Sequence, residues 1–238
     1  MLKTNTATAK PRRTPATAVR ADRRMDILLA AEKLFAQHGY YAVSIRQIAT
    51  EAEVPLALVG YYFGQKHELF HAIFEHWRHT YEERLALLAQ ARTAPRDERT
   101  LERMVHAFVD PVMRMRASPE GEYYALLVAR ELSYRTPDAD RVLVDYFDPM
   151  AHAFIDALQD VCPNSSRGDA AWAYQFTLGA LIHHMSDTRV RRLSRDECTP
   201  FDPAATPRLV RFVTAGIQAL LVVRPPTPPP RSRSRSAT

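Results

Sequence analysis

The stretch SIRQIATEAEVPLALVGYYFGQK, residues 44–66, decides the fold. Ser44 with Gln47 three residues later fits a capping box, in which a hydroxyl and an amide each satisfy one orphan backbone N–H at a helix start. Ile45, Ile48, Ala49 and Ala52 follow at helical spacing and predict one apolar face. A turn through Glu53 and Val54 leads to Pro55, whose fixed φ suits the first position of a further helix over about 55–62. Val59, Tyr62 and Phe63 can face inward there. Leu56, Ala57, Gly60 and Tyr61 face outward, uncharged where a solvated helix would carry charge.

Upstream, Ile27, Leu28, Ala31, Leu34 and Phe35 share one face of a helix predicted from Asp22 to Gln37, and Gly39 ends it as a residue free to take positive φ. Downstream, a long helix is predicted to open near Lys66, with Leu69, Phe70, Ile73, Phe74 and Trp77 as a dense stripe. Three short helices with a tight turn between the second and third describe a helix-turn-helix, whose last helix enters the major groove of DNA. Periodicity alone leaves a second reading, a capped three-helix bundle that binds protein, with Tyr61, Tyr62 and Phe63 as core.

The rest of the chain also reads as helical, so the fold class is all-α. Of the 238 residues 46% are apolar, enough for a core, and glycine is scarce at 7. Ser118-Pro119, Thr136-Pro137 and Thr206-Pro207 each offer a cap before a first-turn proline, while Pro111 and Pro149 sit in apolar helical patterns and should kink or divide them. Residues 189–205 read as a polar loop. The last two long helices are expected over about 169–187 and 207–223. Residues 1–21 lack periodicity and are expected to be a disordered basic arm; residues 224–238, rich in Pro, Arg and Ser, are expected to be a disordered tail.

The net charge of +5 is unevenly placed. Residues 1–24 carry +6 and the tail from Arg224 carries +4, leaving −5 on the body between them. Basic arms on an acidic body suit a polyanion partner, although they also simply aid solubility. Cys162 and Cys198 are far apart and imply no disulfide framework, which fits a reducing cytosol. The basic N-terminus has no apolar segment after it, so it does not read as a secretory signal. The apolar run from Phe176 to Met185 is interrupted by His183 and His184, so no membrane span is expected.

No Gly-x-Ser-x-Gly, Gly-rich phosphate loop or Cys-His zinc spacing occurs, which argues against an enzyme. His67, His71, Glu75 and His79 fall at four-residue spacing, a pattern that charged helices also show without a metal. His183, His184 and Asp187 have no nucleophile motif beside them and read as pocket-lining or capping groups. Neither a metal nor a cofactor is expected.

From Ile27 to Phe74 the chain contains AEKLFAQHGY, SIRQIA, VPLALVGYYFGQK and HELF in order and at consistent spacing. This run resembles the TetR family of bacterial regulators, over about the first third of the chain. The resemblance implies a helix-turn-helix DNA-binding domain over residues 22–66 and a larger helical domain over 67–223 for effector binding and dimerisation, in which the last two long helices are expected to pack against their mates as a four-helix interface through Ala170, Ala173, Leu178 and Leu181 with Leu209, Val213 and Leu220. It implies a cytoplasmic bacterial protein, a homodimer that binds a palindromic double-stranded operator and is released by a small apolar or aromatic molecule, with repression as the default sense. A DNA-binding protein without an effector, and a helical enzyme or metal protein using the histidines, are the rival readings.

Carried over by position, Ser44 opens the second helix near the DNA backbone. Arg46 can reach a base edge, where a guanidinium suits guanine O6 and N7. Gln47 shares that turn. Pro55, Leu56, Ala57, Gly60 and Tyr61 form the recognition face, with a thymine methyl as one apolar contact. Tyr62 and Lys66 match phosphate-gripping positions. Three residues depart from the pattern: Glu53 stands where the family usually has Gly, which strains the turn; Gly60 replaces a usual Tyr and removes a contact; Gln65 replaces a usual Ser cap. For the effector, Met104, Phe108, Tyr124, Phe147, Met150, Trp172, Phe176 and His183 are the expected contacts, since soft and aromatic groups around a few polar ones suit an apolar organic molecule. Their alternative is ordinary core packing.

Overall fold

In the computed structural model of the chain, which describes residues 16–133 and 141–222, every regular element is helical. The expected basic arm up to residue 15, the Thr136-Pro137 start and the tail from residue 223 lie outside the described residues. Residues 16–21, expected to belong to the arm, are helical instead: α1 runs Ala16–His38. Ala16, Ala18, Arg20 and Ala21 are strong helix formers, so propensity extends the helix past the point where its apolar periodicity stops.

The chain divides into two compact units after Ile73. The first holds α1, α2 (Ile45–Glu51), α3 (Leu56–Phe63) and the start of α4 (Lys66–His76). Its core is Ile27, Leu28, Ala31, Phe35, Ile48, Val59 and Phe70, all buried. Phe35 and Phe70 meet edge to face at 5.7 Å, and Tyr40 packs on both. The unit extends past the expected limit at Lys66 because Leu69, Phe70 and Ile73 still serve this core.

The local chemistry of this unit follows the sequence closely. Ser44 caps α2: its Oγ accepts from Gln47 N at 3.3 Å, and Gln47 Oε1 accepts from Ser44 N at 2.8 Å. Gly39 closes α1 at φ 86°. The α2–α3 turn is a Schellman motif, with Val54 N donating to Ala49 O at 3.0 Å and Glu53 N to Thr50 O at 3.2 Å. Glu53 therefore sits at φ 53°, the left-handed region that a β-carbon penalises by about 1–2 kcal/mol. Glu53 is exposed and makes no side-chain bond, so Glu53→Gly is expected to stabilise the protein by about 1 kcal/mol, seen as a higher urea midpoint. A midpoint that stays put or falls contradicts the strain.

The second unit contains α5 (Arg78–Thr93), α6 (Thr100–Ala117), α7 (Glu122–Ser133), α8 (Asp148–Val161), α9 (Arg167–Ser186), the single turn α10 (Val190–Leu193) and α11 (Thr206–Val222). A π turn, Leu143–Phe147, leads into α8, and a 3-10 turn, Pro203–Ala205, leads into α11. Helix α6 is central, packing on α5, α7, α8, α9 and α11 through Met104, Val105, Phe108, Val109, Val112 and Met113.

Proline and capping expectations fare less evenly here. Pro111 lies inside α6 without dividing it, and its neighbours Phe108, Val109, Val112 and Met113 are buried on both sides of it. Pro149 stands in the first turn of α8, where its missing N–H costs nothing. Ser118 ends α6 rather than starting a helix; its Oγ accepts from Gly121 N at 3.0 Å, and α7 opens at Glu122. Thr206 is helical, with its hydroxyl buried and unpaired, and the capping oxygen is Asp202 Oδ1, which accepts from Ala204 N at 2.8 Å. The long helix expected from Lys66 breaks at Trp77, which holds φ −91° and ψ 7° between α4 and α5. No helix among the described residues is long and apolar enough to cross a membrane.

Candidate nucleic-acid interface and ligand cavity

In the first unit, the capped start of α2 and one face of α3 hold the sequence-predicted DNA contacts. Ser44, Arg46 and Gln47 are exposed, and among the described residues Arg46 has no ion pair. Gln47 is already engaged: its Oε1 accepts from both the backbone N and the Oγ of Ser44. Pro55 caps α3, one position earlier than expected. Along α3, Leu56 (46% exposed), Ala57, Gly60 and Tyr61 (62%) form a continuous uncharged surface. A β-carbon at Gly60 would meet nothing within 4 Å, so this glycine leaves open space rather than filling a packing need. Tyr62 and Lys66 are half-buried; the Lys66 ammonium lies 4.3 Å from the Tyr40 ring centroid. Lys66 is also the first residue of α4, where the helix dipole favours an anion. Gln65, in place of a serine cap, uses its backbone N to donate to Glu68 Oε2 at 2.7 Å, so α4 gains a carboxylate in its first turn.

Exposed Tyr41 (64%) was not singled out from sequence. A lone aromatic beside a glycine turn reads as core, and only the burial of its neighbour Tyr40 shows which of the two faces out.

The second unit contains a partly open cavity with walls from the end of α4, α5, α6, α7, the π turn, α8 and α9. Side chains nearly fill it, leaving about 50 Å³ for a water-sized sphere. Trp77 and Tyr124 stack at 4.9 Å with planes 12° apart, and Phe74 lies 5.8 Å from Tyr124 and 6.1 Å from Phe147. Of the eight expected effector contacts, Phe108, Tyr124, Phe147 and Met150 line this cavity.

The other four do not. Met104 is fully buried in the packing of α6. Trp172 (60% exposed) and Phe176 (61%) stack on each other at 5.6 Å on the outer face of α9. His183 is exposed, 3.5 Å from Asp187, whose carboxylate accepts mainly from Arg189. The cause is geometric: α9 is apolar on two sides, so its spacing cannot say which side lines a cavity.

Conversely, Arg84, Tyr81, Tyr146 and Tyr174 line the cavity without having been expected. Burial raises the phenols of Tyr174 and Tyr146 above their usual range, keeping both neutral. It also pushes Arg84 down to about 10, still charged at neutral pH.

Helices α9 and α11 share a second apolar surface. Trp172, Phe176, Phe212 (72% exposed) and Leu220 (37%) project from it. A groove of about 430 Å³ runs between them over Ala173, Val213, Gly216 and Ile217. Of the residues expected to form an interface here, Ala170, Ala173, Leu181 and Val213 are buried within the chain and Leu178 lines the cavity, leaving Leu220 on the surface and Leu209 half-buried. Among the described residues no three His, Cys, Asp or Glu side chains converge as a metal site.

Residues 27–73 match the family model described as bacterial regulatory proteins, tetR family, and residues 106–216 match one described as tetracyclin repressor-like, C-terminal domain. The HTH-type transcriptional regulator HbdR of Aromatoleum sp. is 37% identical over 86 residues, 36% of this chain and 35% of that one. The HTH-type transcriptional repressor NicS of Pseudomonas putida is 42% identical over 66 residues, 27% of this chain and 31% of that one. The chain thus aligns with about a third of the length of each of these relatives. Among solved structures, the fatty acid degradation regulator FadR from Bacillus halodurans has the same fold, with a TM-score of 0.58 at 15% identity, covering 86% of this chain and 97% of that one.

Proposed function

Because the chain belongs to the TetR family of bacterial transcriptional regulators, and is not an enzyme, we propose that it is a ligand-responsive repressor that binds a palindromic operator as a homodimer. The observation that carries the reading is the uncharged, exposed face of α3 beside the capped start of α2, where Arg46 is exposed and has no ion pair among the described residues. Leu56, Ala57, Gly60 and Tyr61 allow close approach to base edges and thymine methyls, Arg46 supplies a donor fork for guanine, and Tyr62 and Lys66 reach phosphate.

Dimerisation rests on the outer face of α9 and α11. Exposed aromatic patches of this kind mark association surfaces, and a dimer brings two α3 helices to one operator, whose half-sites are then expected about one DNA turn (~34 Å) apart. The effector acts from the cavity. Helix α4 runs from Leu69, Phe70 and Ile73, which belong to the DNA-binding unit, to Phe74, which lines the cavity four residues after Phe70. A ligand that fits only the conformation with low DNA affinity shifts the population toward release; one that fits both conformations equally shifts nothing.

Arg46→Ala tests the DNA reading. Loss of a bidentate base contact is worth about 1–3 kcal/mol, so affinity for the preferred duplex should fall between about 5- and 150-fold, with little change on scrambled DNA. Fluorescence anisotropy on both duplexes distinguishes this from a phosphate contact, for which the loss is uniform. A uniform loss removes Arg46 from base readout.

A further inference from the structure

The cavity of the second unit has an unbalanced charge. Among the described residues that line it, Arg78 and Arg84 are the only charged side chains, and none is Asp or Glu. Arg78 is already matched, donating from Nε and Nη2 to Glu75 Oε2 at 3.0 and 2.7 Å. Arg84 is not. Its Nε donates to the Phe108 carbonyl at 3.1 Å and its Cζ lies 4.1 Å from the Phe108 ring centroid. No carboxylate lies within ion-pair distance of it among the described residues; the adjacent Glu83 pairs instead with Arg114 at 2.7 Å. Its two terminal nitrogens have no acceptor among the described residues, and the side chain is half-buried against the cavity wall, so both donors remain available to a ligand. Burial accordingly makes Arg84 a weaker base than an ordinary arginine.

The hydroxyls nearest to Arg84, those of Tyr174, Tyr124 and Tyr81, are phenols and supply no carboxylate; the other two in the wall are engaged elsewhere. Thr80 Oγ1 donates to Trp77 O at 2.8 Å, and the Tyr146 hydroxyl donates to Glu75 Oε2 at 3.3 Å. Around them the wall is aromatic or aliphatic, with Trp77, Tyr124, Phe147, Met150 and Leu178 within the same cavity. One unmatched positive charge in such a wall calls for a ligand with one negative charge and an apolar body. A guanidinium fork meets a carboxylate with two parallel bonds. A phosphate would bring more charge and more acceptors than this wall can satisfy.

We propose that the cavity, opening beyond the roughly 50 Å³ left free in this conformation, takes a small organic monocarboxylate with an aromatic or aliphatic body, its carboxylate held by Arg84. The proposal rests on the reading of this cavity as the effector site and narrows the effector to a chemical class. The competing role for Arg84 is a structural clamp on the Phe108 carbonyl, one turn before Pro111 in α6.

Thermal melting of the full-length protein at pH 7 separates the two. The probes are benzoate, phenylacetate, 3-phenylpropionate, hexanoate and octanoate, each measured beside the primary amide of the same acid, on the wild type, Arg84→Met and Arg84→Lys. At least one acid should raise the wild-type melting temperature by mass action, its amide should bind at least tenfold more weakly, Arg84→Met should abolish the acid response, and Arg84→Lys should keep part of it. The proposal is overturned if no acid stabilises the wild type, if amides stabilise equally, if the response survives in Arg84→Met, or if that variant melts lower without ligand while its acid response matches that of Arg84→Lys. Operator release, measured on the same samples, keeps the two readings apart. An acid that binds through Arg84 without changing DNA affinity supports the carboxylate site and removes the effector reading, whereas an amide that releases DNA does the reverse.

Discussion

Phe212→Asp is expected to convert the protein to a monomer and to lower operator affinity at least about a hundredfold. Phe212 is 72% exposed on α11, so the substitution disturbs no internal packing. In the proposed dimer it lies in the patch with Trp172, Phe176 and Leu220, bordering the groove between α9 and α11. A carboxylate at the centre of an apolar interface must be desolvated without a partner, and two copies face each other across a two-fold axis, which doubles the cost. A monomer then offers one recognition helix per binding event. Specific binding by dimers commonly exceeds non-specific binding by about 4–10 kcal/mol, and loss of one half-site removes a large part of that. Sedimentation velocity and operator titration read the two effects together. A dimer of unchanged mass and affinity would place the interface elsewhere.

Phe35→Ala is expected to unfold the DNA-binding unit. Phe35 is fully buried, with Tyr40 at 5.5 Å and Phe70 at 5.7 Å. Truncating such a phenyl group costs about 3–5 kcal/mol through lost burial and the cavity left behind. A small domain has only about 5–15 kcal/mol in total, and the unit that ends at Ile73 has a core of little more than a dozen side chains to share the loss. Far-UV circular dichroism should show an early melting step absent from the wild type, and operator binding should vanish at 37 °C. A melting curve superimposable on the wild type would mean that the aromatic cluster is not what holds this unit together.

The first unit was legible in the sequence because its signals are local. Ser44 and Gln47 sit three residues apart and make the cap that the spacing requires. Gly39 takes the positive φ that only its position after α1 demands, and the substitution of Glu53 for glycine reads directly as a strained turn. The second unit was legible only as a set of helices. Trp172 and Phe176 look like cavity residues in sequence, but α9 buries Ala170, Ala173, Thr177 and Leu181 on one side and presents the two aromatics on the other. A helix that is apolar all round does not reveal which face meets which neighbour.

Arg84 was missed for the opposite reason. Within YEERL a charged residue reads as solvent-facing, and only the tertiary fold turns it toward Phe108. The break at Trp77 was hidden as well, because the apolar stripe continues from Phe70 to Trp77 while the backbone leaves the helix there. Its cause is tertiary too: Trp77 stacks on Tyr124, a partner far along the chain.

The most direct test is selection of bound sequences from a pool of random duplex DNA, using the full-length protein at low salt without added ligand. The account predicts enrichment of one motif made of two inverted half-sites, their centres about one helical turn (~34 Å) apart. Recovery of no motif, or of a single half-site bound by one copy of the chain, contradicts it.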